Sequence, residues 1–329
     1  MSHTRDVALI IPTWNSLAWI EACLEAVAAQ TLQPTEMIIV DDGSTDGTAR
    51  WLTDHAPQAR VEQLVEQQGF AVAVNRGIRV SSSPLIALLN VDTIPAPDWL
   101  ERLVAAISDD PRRPGSVASK MVQLSEPGLV DNAGDTFSRY GSARKRGHGE
   151  PENAWTTREP VLSACAGAAL YRRELLEEVG RFDETYESYF EDVDLGLRAR
   201  SQDYECLFEP AARVRHAGGG SELPRARYVR LITANRAATL LKNFPLRLLV
   251  RHGLRLVWGQ WYFLVAYRRP ISSLAGYWDL LRRVPGILRA RRSCQMRRSV
   301  SVEDFDALLQ GNLGEPPLRQ LLRRKMASR

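Results

Sequence analysis

The 329-residue chain predicts an α/β fold, a mostly parallel central sheet flanked by helices, with a basic α-helical C-terminal extension. Three observations predict it. Short, continuously apolar runs alternate with stretches of helical periodicity up to residue 221. Each apolar run ends on a polar, acid-bearing cluster, as at the carboxyl ends of parallel strands. Beyond residue 221 the pattern is helical throughout and the composition turns basic and aromatic.

Residues 7–11 are the first apolar run and lead into Pro12-Thr13-Trp14-Asn15. The spacing over 19–30 then puts Ile20, Cys23, Leu24 and Val27 on one helical face. A second strand over 37–40 ends on Asp41-Asp42-Gly43-Ser44, with Thr45 or Asp46 placed to cap the helix that follows. A third strand over 85–89 ends on Asn90-Val91-Asp92. Residues 111–160 are rich in Gly, Pro, Arg and Ser, and predict short strands and a mobile loop around Arg144-Lys-Arg-Gly-His-Gly. A helix over 172–179, a Gly-Arg-Phe-Asp turn and a second helix from Glu191 follow. The domain reading is therefore a catalytic domain over 1–221 and a basic, aromatic-rich helical region over 222–329.

Hydrophobic residues make up 44% and charged residues 25%, which excludes wholesale disorder. The net charge of +4 hides a division. Residues 1–221 carry 21 Lys and Arg against 33 Asp and Glu, whereas 222–300 carry 17 against 2, so the two parts suit different partners. Cys23, Cys165, Cys206 and Cys294 lack metal-ligand spacing and read as reduced thiols. The opening residues lack the features of a secretory signal, so the expected location is the cytoplasm.

Four segments could carry chemistry. Asp41-Asp42-Gly43-Ser44 could accept hydrogen bonds from a base or a ribose, or be no more than a capped turn. Asn90 and Asp92, two residues apart at a strand end, offer hard oxygen ligands for Mg²⁺ or Mn²⁺, or form a polar turn before Pro95. Glu191-Asp192-Val193-Asp194 opens a helix, where acids compensate the dipole. Three acids in four residues exceed what capping needs, so one could be a general base. His216, read as a loop residue beside Ala217-Gly218-Gly219-Gly220, is either solvated or a metal ligand.

Taken in order, these segments resemble family 2 glycosyltransferases, which have the nucleotide-sugar-binding GT-A fold. The pieces that carry the resemblance span about 7–221. They are Ile11-Pro12-Thr13-Trp14-Asn15, Val40-Asp-Asp-Gly-Ser-Thr-Asp, Gly69-Phe70 with Asn75-Arg-Gly, and Leu89-Asn-Val-Asp-Thr. Gly167-Ala-Ala-Leu-Tyr-Arg-Arg, Val179-Gly-Arg-Phe-Asp, Tyr189-Phe-Glu-Asp-Val-Asp-Leu-Gly-Leu-Arg and Val214-Arg-His complete them. The later pieces are most similar to a bacterial rhamnosyltransferase-like branch that uses dTDP-rhamnose in surface polysaccharide synthesis.

The resemblance implies an inverting, metal-dependent transfer from a nucleotide-sugar donor to a glycan or polyprenyl-linked glycan acceptor. It implies nucleoside contacts from Pro12, Thr13 and Asp42, and a place in the donor pocket for Asn75. It gives Asn90 and Asp92 the metal motif, His216 a third ligand position, Asp192 the catalytic base and Glu191 a supporting role. Asn90 departs from the motif, which has Asp there, and contributes no charge. Two other readings are a nucleotidyltransferase of related fold and a binding scaffold without turnover. Pro12-Thr13-Trp14-Asn15 stands where a nucleotidyltransferase would carry a glycine-rich basic loop.

From Arg225 to Arg298 basic residues interleave with Trp258, Trp261, Tyr262, Phe263, Tyr267, Tyr277 and Trp278. The weakly polar run over 254–267 is too short to span a bilayer. Two expectations stay open: helices lying on the anionic inner face of a membrane, or a subdomain packing on the catalytic part or forming a homodimer. No nucleic-acid-binding module accompanies the charge.

Overall fold

The computed structural model describes residues 6–218 and 223–318. Residues 1–5, the glycines at 219–220 with the boundary expected at 221, and residues 319–329 lie outside them. The described chain divides into two compact units, one of residues 6–135 and 145–218, the other of 136–144 and 223–318.

In the first unit β1 (Val7–Thr13), α1 (Ile20–Ala28), β2 (Glu36–Asp41), α2 (Thr48–His55), β3 (Arg60–Gln63), α3 (Phe70–Val80) and β4 (Leu85–Leu89) alternate. The strands lie side by side in the order β4-β1-β2-β3, all parallel. Then come β5 (Thr93–Pro95), α4 (Trp99–Asp109), β6 (Ser116–Gln123), β7 (Val130–Asn132), β8 (Asp135–Phe137), β9 (Ala143–Lys145), β10 (Glu159–Val161), β11 (Ala168–Arg172), α5 (Arg173–Glu178), α6 (Glu191–Ser201) and β12 (Cys206–His216).

The expected α/β arrangement is present, and the second half of the sheet also holds antiparallel strands. β11 inserts antiparallel between β4 and β6, while β6 and β12 run parallel. Strand alternation sends Val7, Leu9 and Ile11 to one face and Ala8 and Ile10 to the other. Helices α1, α2 and α4 cover the first face, α3, α5 and α6 the second, so both faces are buried. The face foreseen for α1 is the buried one: Ile20, Cys23, Leu24 and Val27.

Two stretches correct the sequence reading. Residues 116–123, placed in a region expected to hold short strands, form a long core strand buried from Ser116 to Val122. His216 is the last residue of β12, not part of a loop. Pro210 hid that strand. It falls where the β6–β12 register shifts between Glu209 and Arg213, and a bulge tolerates a residue without an N–H.

The second unit is helical: α7 (Arg225–Asn243), α8 (Leu246–Arg251), α9 (Gly253–Ala266), α10 (Pro270–Arg297) and α11 (Val302–Ala307). Phe244 packs edge-on against Phe137 and Phe305, with ring centroids 5.8 and 6.0 Å away. Arg236 is buried on α7 with its guanidinium 4.2 Å from the Phe263 ring centroid and hydrogen-bonded to Gln260 and Tyr267. No described helix is long and apolar enough to cross a membrane.

Candidate active site

The loops after β1 and β2 are stitched together at the carboxyl edge of the sheet. Asn15 N–H donates to Ser44 Oγ at 2.8 Å, and Thr45 N–H donates to Asn15 Oδ1 at 2.8 Å. Ser44 Oγ donates to Asp41, and Asp46 accepts from Thr48 N–H and Oγ–H, capping α2 from one residue before Gly47. Gly43 makes the turn with φ +72°, and a Cβ there would lie 2.7 Å from Glu66 C. Asp41, Ser44 and Asp46 are thus explained by the turn.

Asp42 is different. It is buried, and its two oxygens accept from Gln68 N–H at 2.7 Å and Gly69 N–H at 2.8 Å, pinning the start of α3. Burial pushes its pKa up despite those bonds. Beside it, Thr13 is buried with an Oγ1 that meets no partner. Pro12 comes after the β1–β4 ladder ends at Ile10, where a missing N–H costs nothing on that side.

The next strand end carries Asn90 and Asp92. Asn90 N–H donates to Gly167 O at 2.8 Å, while the buried Asn90 Oδ1 has no partner. β12 pairs antiparallel with β5, His216 opposite Thr93, and that register sets the imidazole beside Asp92. His216 Nε2 lies 3.3 Å from Asp92 Oδ2, and Nδ1 lies 2.7 Å from Asp131 Oδ2.

Asp131, on β7, also accepts from Lys145 Nζ at 2.9 and 3.0 Å. Burial would raise Asp131, but His216 and Lys145 hold its carboxyl well below the usual range. Burial would likewise lower His216, yet Asp131 and Asp92 push it up to about 9. The imidazolium therefore lies between two carboxylates.

The same donors fit a divalent cation. With Nδ1–H held by Asp131, the tautomer leaves Nε2 to bind a metal next to Asp92, the carboxylate–histidine arrangement of many metal sites. Asn90 Oδ1 is a further hard oxygen in need of a partner. Among the described residues no three of His, Cys, Asp and Glu form a ligand set.

On the far side of the 165–167 turn lies the α6 start. Glu187, Tyr189 and Phe190 all have positive φ, at 58°, 69° and 73°, a strained run that persists only when its surroundings demand it. It delivers Glu191 and Asp192 into the site. Asp192, half-buried, accepts from Ala166 N–H at 3.3 Å through Oδ2, and burial raises its pKa. Glu191 is buried with Oε2 unpartnered, and burial followed by the neighbouring Asp192 charge raises it well above its ordinary value.

Asp194 plays another role. Fully buried, it accepts from Arg198 Nε at 2.8 Å and Tyr186 Oη at 3.3 Å. Gly196 lets α6 approach 162–163, since a Cβ there would lie 2.2 Å from Ser163 Cβ.

The sequence reading missed Asp131, Lys145 and Asp135. Asp135 is buried, accepts from Asn132 Nδ2 at 2.8 Å, and keeps Oδ2 unpartnered. Burial, then the charge of Asp192, pushes its pKa up to about 8. The string Asp131-Asn132-Ala-Gly-Asp135 was the available signal. Lys145 lies in the segment expected to be a mobile loop, and is instead held by Asp131.

Asn75, expected in the donor pocket, makes hydrogen bonds within the fold. Its Nδ2 donates to Phe182 O at 2.8 Å and Glu184 Oε1 at 3.0 Å, while its Oδ1 accepts from Phe182 N–H at 3.2 Å. The amide clasps α3 to the 182–184 turn.

Residues 8–180 match the family described as Glycosyl transferase family 2. An uncharacterised protein of Sinorhizobium fredii is 30% identical over 233 residues, 66% of this chain, which spans only 25% of that relative's length. An N-acetylglucosaminyl-diphospho-decaprenol L-rhamnosyltransferase of Mycobacterium tuberculosis is 27% identical over 236 residues, covering 65% of this chain and 76% of the relative. Among solved structures, GalNAc-T7 with UDP, GalNAc and Mn²⁺ superposes with a TM-score of 0.53 at 15% identity, over 82% of this chain and 59% of that one. That likeness gives the chain the GT-A fold.

Proposed function

The chain belongs to glycosyl transferase family 2, and from that membership we propose that it moves a sugar from a nucleoside-diphosphate donor to an acceptor hydroxyl, with inversion at the anomeric carbon. The observation that carries the reading is the 165–167 turn. Gly167 O holds Asn90, two residues before Asp92, while Ala166 N–H holds Asp192. One piece of backbone thus sets the spacing between a metal-binding carboxylate and a proton-accepting one.

Thr13 Oγ1 and the remaining lone pairs of Asp42 face the nucleoside, with Pro12 one residue before the end of the strand. Asp92, His216 and Asn90 Oδ1 would hold the divalent cation, Mn²⁺ or Mg²⁺. When bound, that ion supplies positive charge to the departing diphosphate. Asp192 takes the proton of the acceptor hydroxyl as that oxygen bonds the anomeric carbon and the bond to the diphosphate oxygen breaks. Its burial-raised pKa makes it a stronger base than a solvated carboxylate. Burial raises Glu191 and Asp135 as well, and the charge of Asp192 adds to the shift of each.

The finer reading is rhamnose from dTDP-rhamnose, delivered to a polyprenyl-diphosphate-linked glycan at the cytoplasmic face of a bacterial membrane; a relative named for L-rhamnosyl transfer to N-acetylglucosaminyl-diphospho-decaprenol supports the sugar and the acceptor class. A panel of nucleotide-sugars, titrated onto the purified protein with and without Mn²⁺, tests both levels. Metal-dependent binding of dTDP-rhamnose, lost in Asp92→Ala, is the expected result. Binding of a different nucleotide-sugar would refute the rhamnose assignment alone, and binding of none would refute the transferase.

A further inference from the structure

Large apolar side chains left in water are concentrated in one part of the chain. Among the described residues, of fourteen such side chains twelve fall between 246 and 296, so the second unit carries the surplus. They are also ordered. On α9, Leu254, Val257, Trp258 and Trp261 follow at i, i+3, i+4 and i+7, a single helical stripe, with Leu254 90% exposed. The two indole rings lie 5.0 Å apart. On α10, Ile271, Leu274, Trp278, Leu281 and Leu288 fall within about 100° of arc at 100° per residue, and Ile271 is 83% exposed.

The buried residues of α10 are Ser273, Gly276 and Ile287, and a Cβ on Gly276 would lie 2.4 Å from Arg230 O on α7. Two small residues thus let the helix pack closely, while Ile271, Leu274, Trp278, Leu281 and Leu288 face outward. Such a patch on a soluble protein marks a surface that meets something else.

Charge says what. Residues 223–300 hold 17 Lys and Arg and one acid, Asp279, which is paired with Arg230 at 2.5 Å. Exposed Arg282, Arg289 and Arg292 rise from the same helix as the apolar stripe, and the Arg282 guanidinium lies 5.2 Å from the Trp278 ring centroid. A second copy of this face would set cation against cation. Nucleic acid would meet the arginines and leave the aliphatic stripe in water. An anionic bilayer satisfies both features, with phosphates for the guanidinium groups and an interface for Trp and Leu.

We propose that the outward stripe of α9 and α10 is a docking surface for an anionic lipid bilayer, on which these helices lie flat. Their lack of a membrane-crossing stretch fits surface binding instead of insertion. The inference rests on the second unit alone, independent of donor or acceptor.

The test is flotation of the full chain with vesicles of phosphatidylcholine alone or mixed with phosphatidylglycerol, without nucleotide or metal. The expected result is binding to the mixed vesicles, abolished in Trp258→Ser/Trp261→Ser/Trp278→Ser. Arg282→Gln/Arg289→Gln/Arg292→Gln should weaken it on the order of 100-fold, about five-fold per arginine. Circular dichroism of both variants separates loss of the surface from loss of the fold. Failure of the wild-type chain to float, or undiminished flotation of folded variants, overturns the proposal. So does a dimer in sedimentation equilibrium that the Trp variant converts to monomer, since the stripe would then be a chain–chain interface.

Discussion

In the first unit Glu191, Asp135 and Ser163 are out of water, each with an oxygen that meets no partner, whereas in the second unit Leu254, Ile271 and Trp278 are exposed to water. Both depart from the rule that polar groups face solvent and apolar ones avoid it, in opposite directions. An unpaired buried oxygen costs about 1–3 kcal/mol, and an exposed large apolar side chain forgoes about 1.5–3 kcal/mol. A fold tolerates such sites when a ligand completes them. Buried polarity alone is not the signature, however. Arg236 is as buried as the acids, but its guanidinium has a ring face, an amide and a phenol around it. What marks the carboxyl cluster is the missing partner.

The sharpest way to break this comparison is to remove the one carboxylate given a chemical task. Asp192→Asn should lower the transfer rate by about 10²–10⁴-fold while nucleotide-sugar binding stays unchanged, measured by initial rates and by calorimetry. Asn preserves the size and can still accept from Ala166 N–H. Loss of binding and rate together would make Asp192 a donor contact or a structural residue instead of the base.

Asp131→Asn probes the relay one step back. The amide can no longer hold His216 and Lys145 by charge, so Mn²⁺-dependent donor binding should weaken by about 10–100-fold in a metal titration. An unaltered titration would leave Asp131 as no more than a partner for Lys145.

How much of this was legible in advance depended on how locally each feature is encoded. The buried face of α1, the strands β1, β2 and β4, and the acids opening α6 all follow from spacing within a dozen residues, and the folded chain has them. The Asp131–His216 contact joins residues 85 apart and requires β5, β6, β7 and β12 in one register, which no local pattern records. Aromatic residues beyond 254 were legible as a set but not by side. Tyr262 and Phe263 turned inward, while Trp258, Trp261 and Trp278 did not. Asn75 matched a motif, yet its amide serves the 182–184 turn, because a motif records which residue is kept and not what it touches.

The smallest effect separates a site built against stability from one that is merely polar. Burial, with the charge of Asp192 adding, lifts the Asp135 carboxyl from an ordinary 3.8 to about 8 in the folded chain. Below the unfolded value both states hold the proton and the site's contribution to stability is complete. As pH rises the unfolded chain releases its proton first, so that contribution is lost progressively until pH passes about 8. Asp135→Asn cannot ionise and can still accept from Asn132 Nδ2. Its melting temperature relative to wild type should therefore be higher at pH 8 than at pH 5, by about 2–4 °C for each kcal/mol relieved. Parallel melting curves at the two pH values would mean that Asp135 is already paired in the folded chain. The cluster would then resemble Arg236, satisfied from within, and the contrast with the outward stripe would lose its first half.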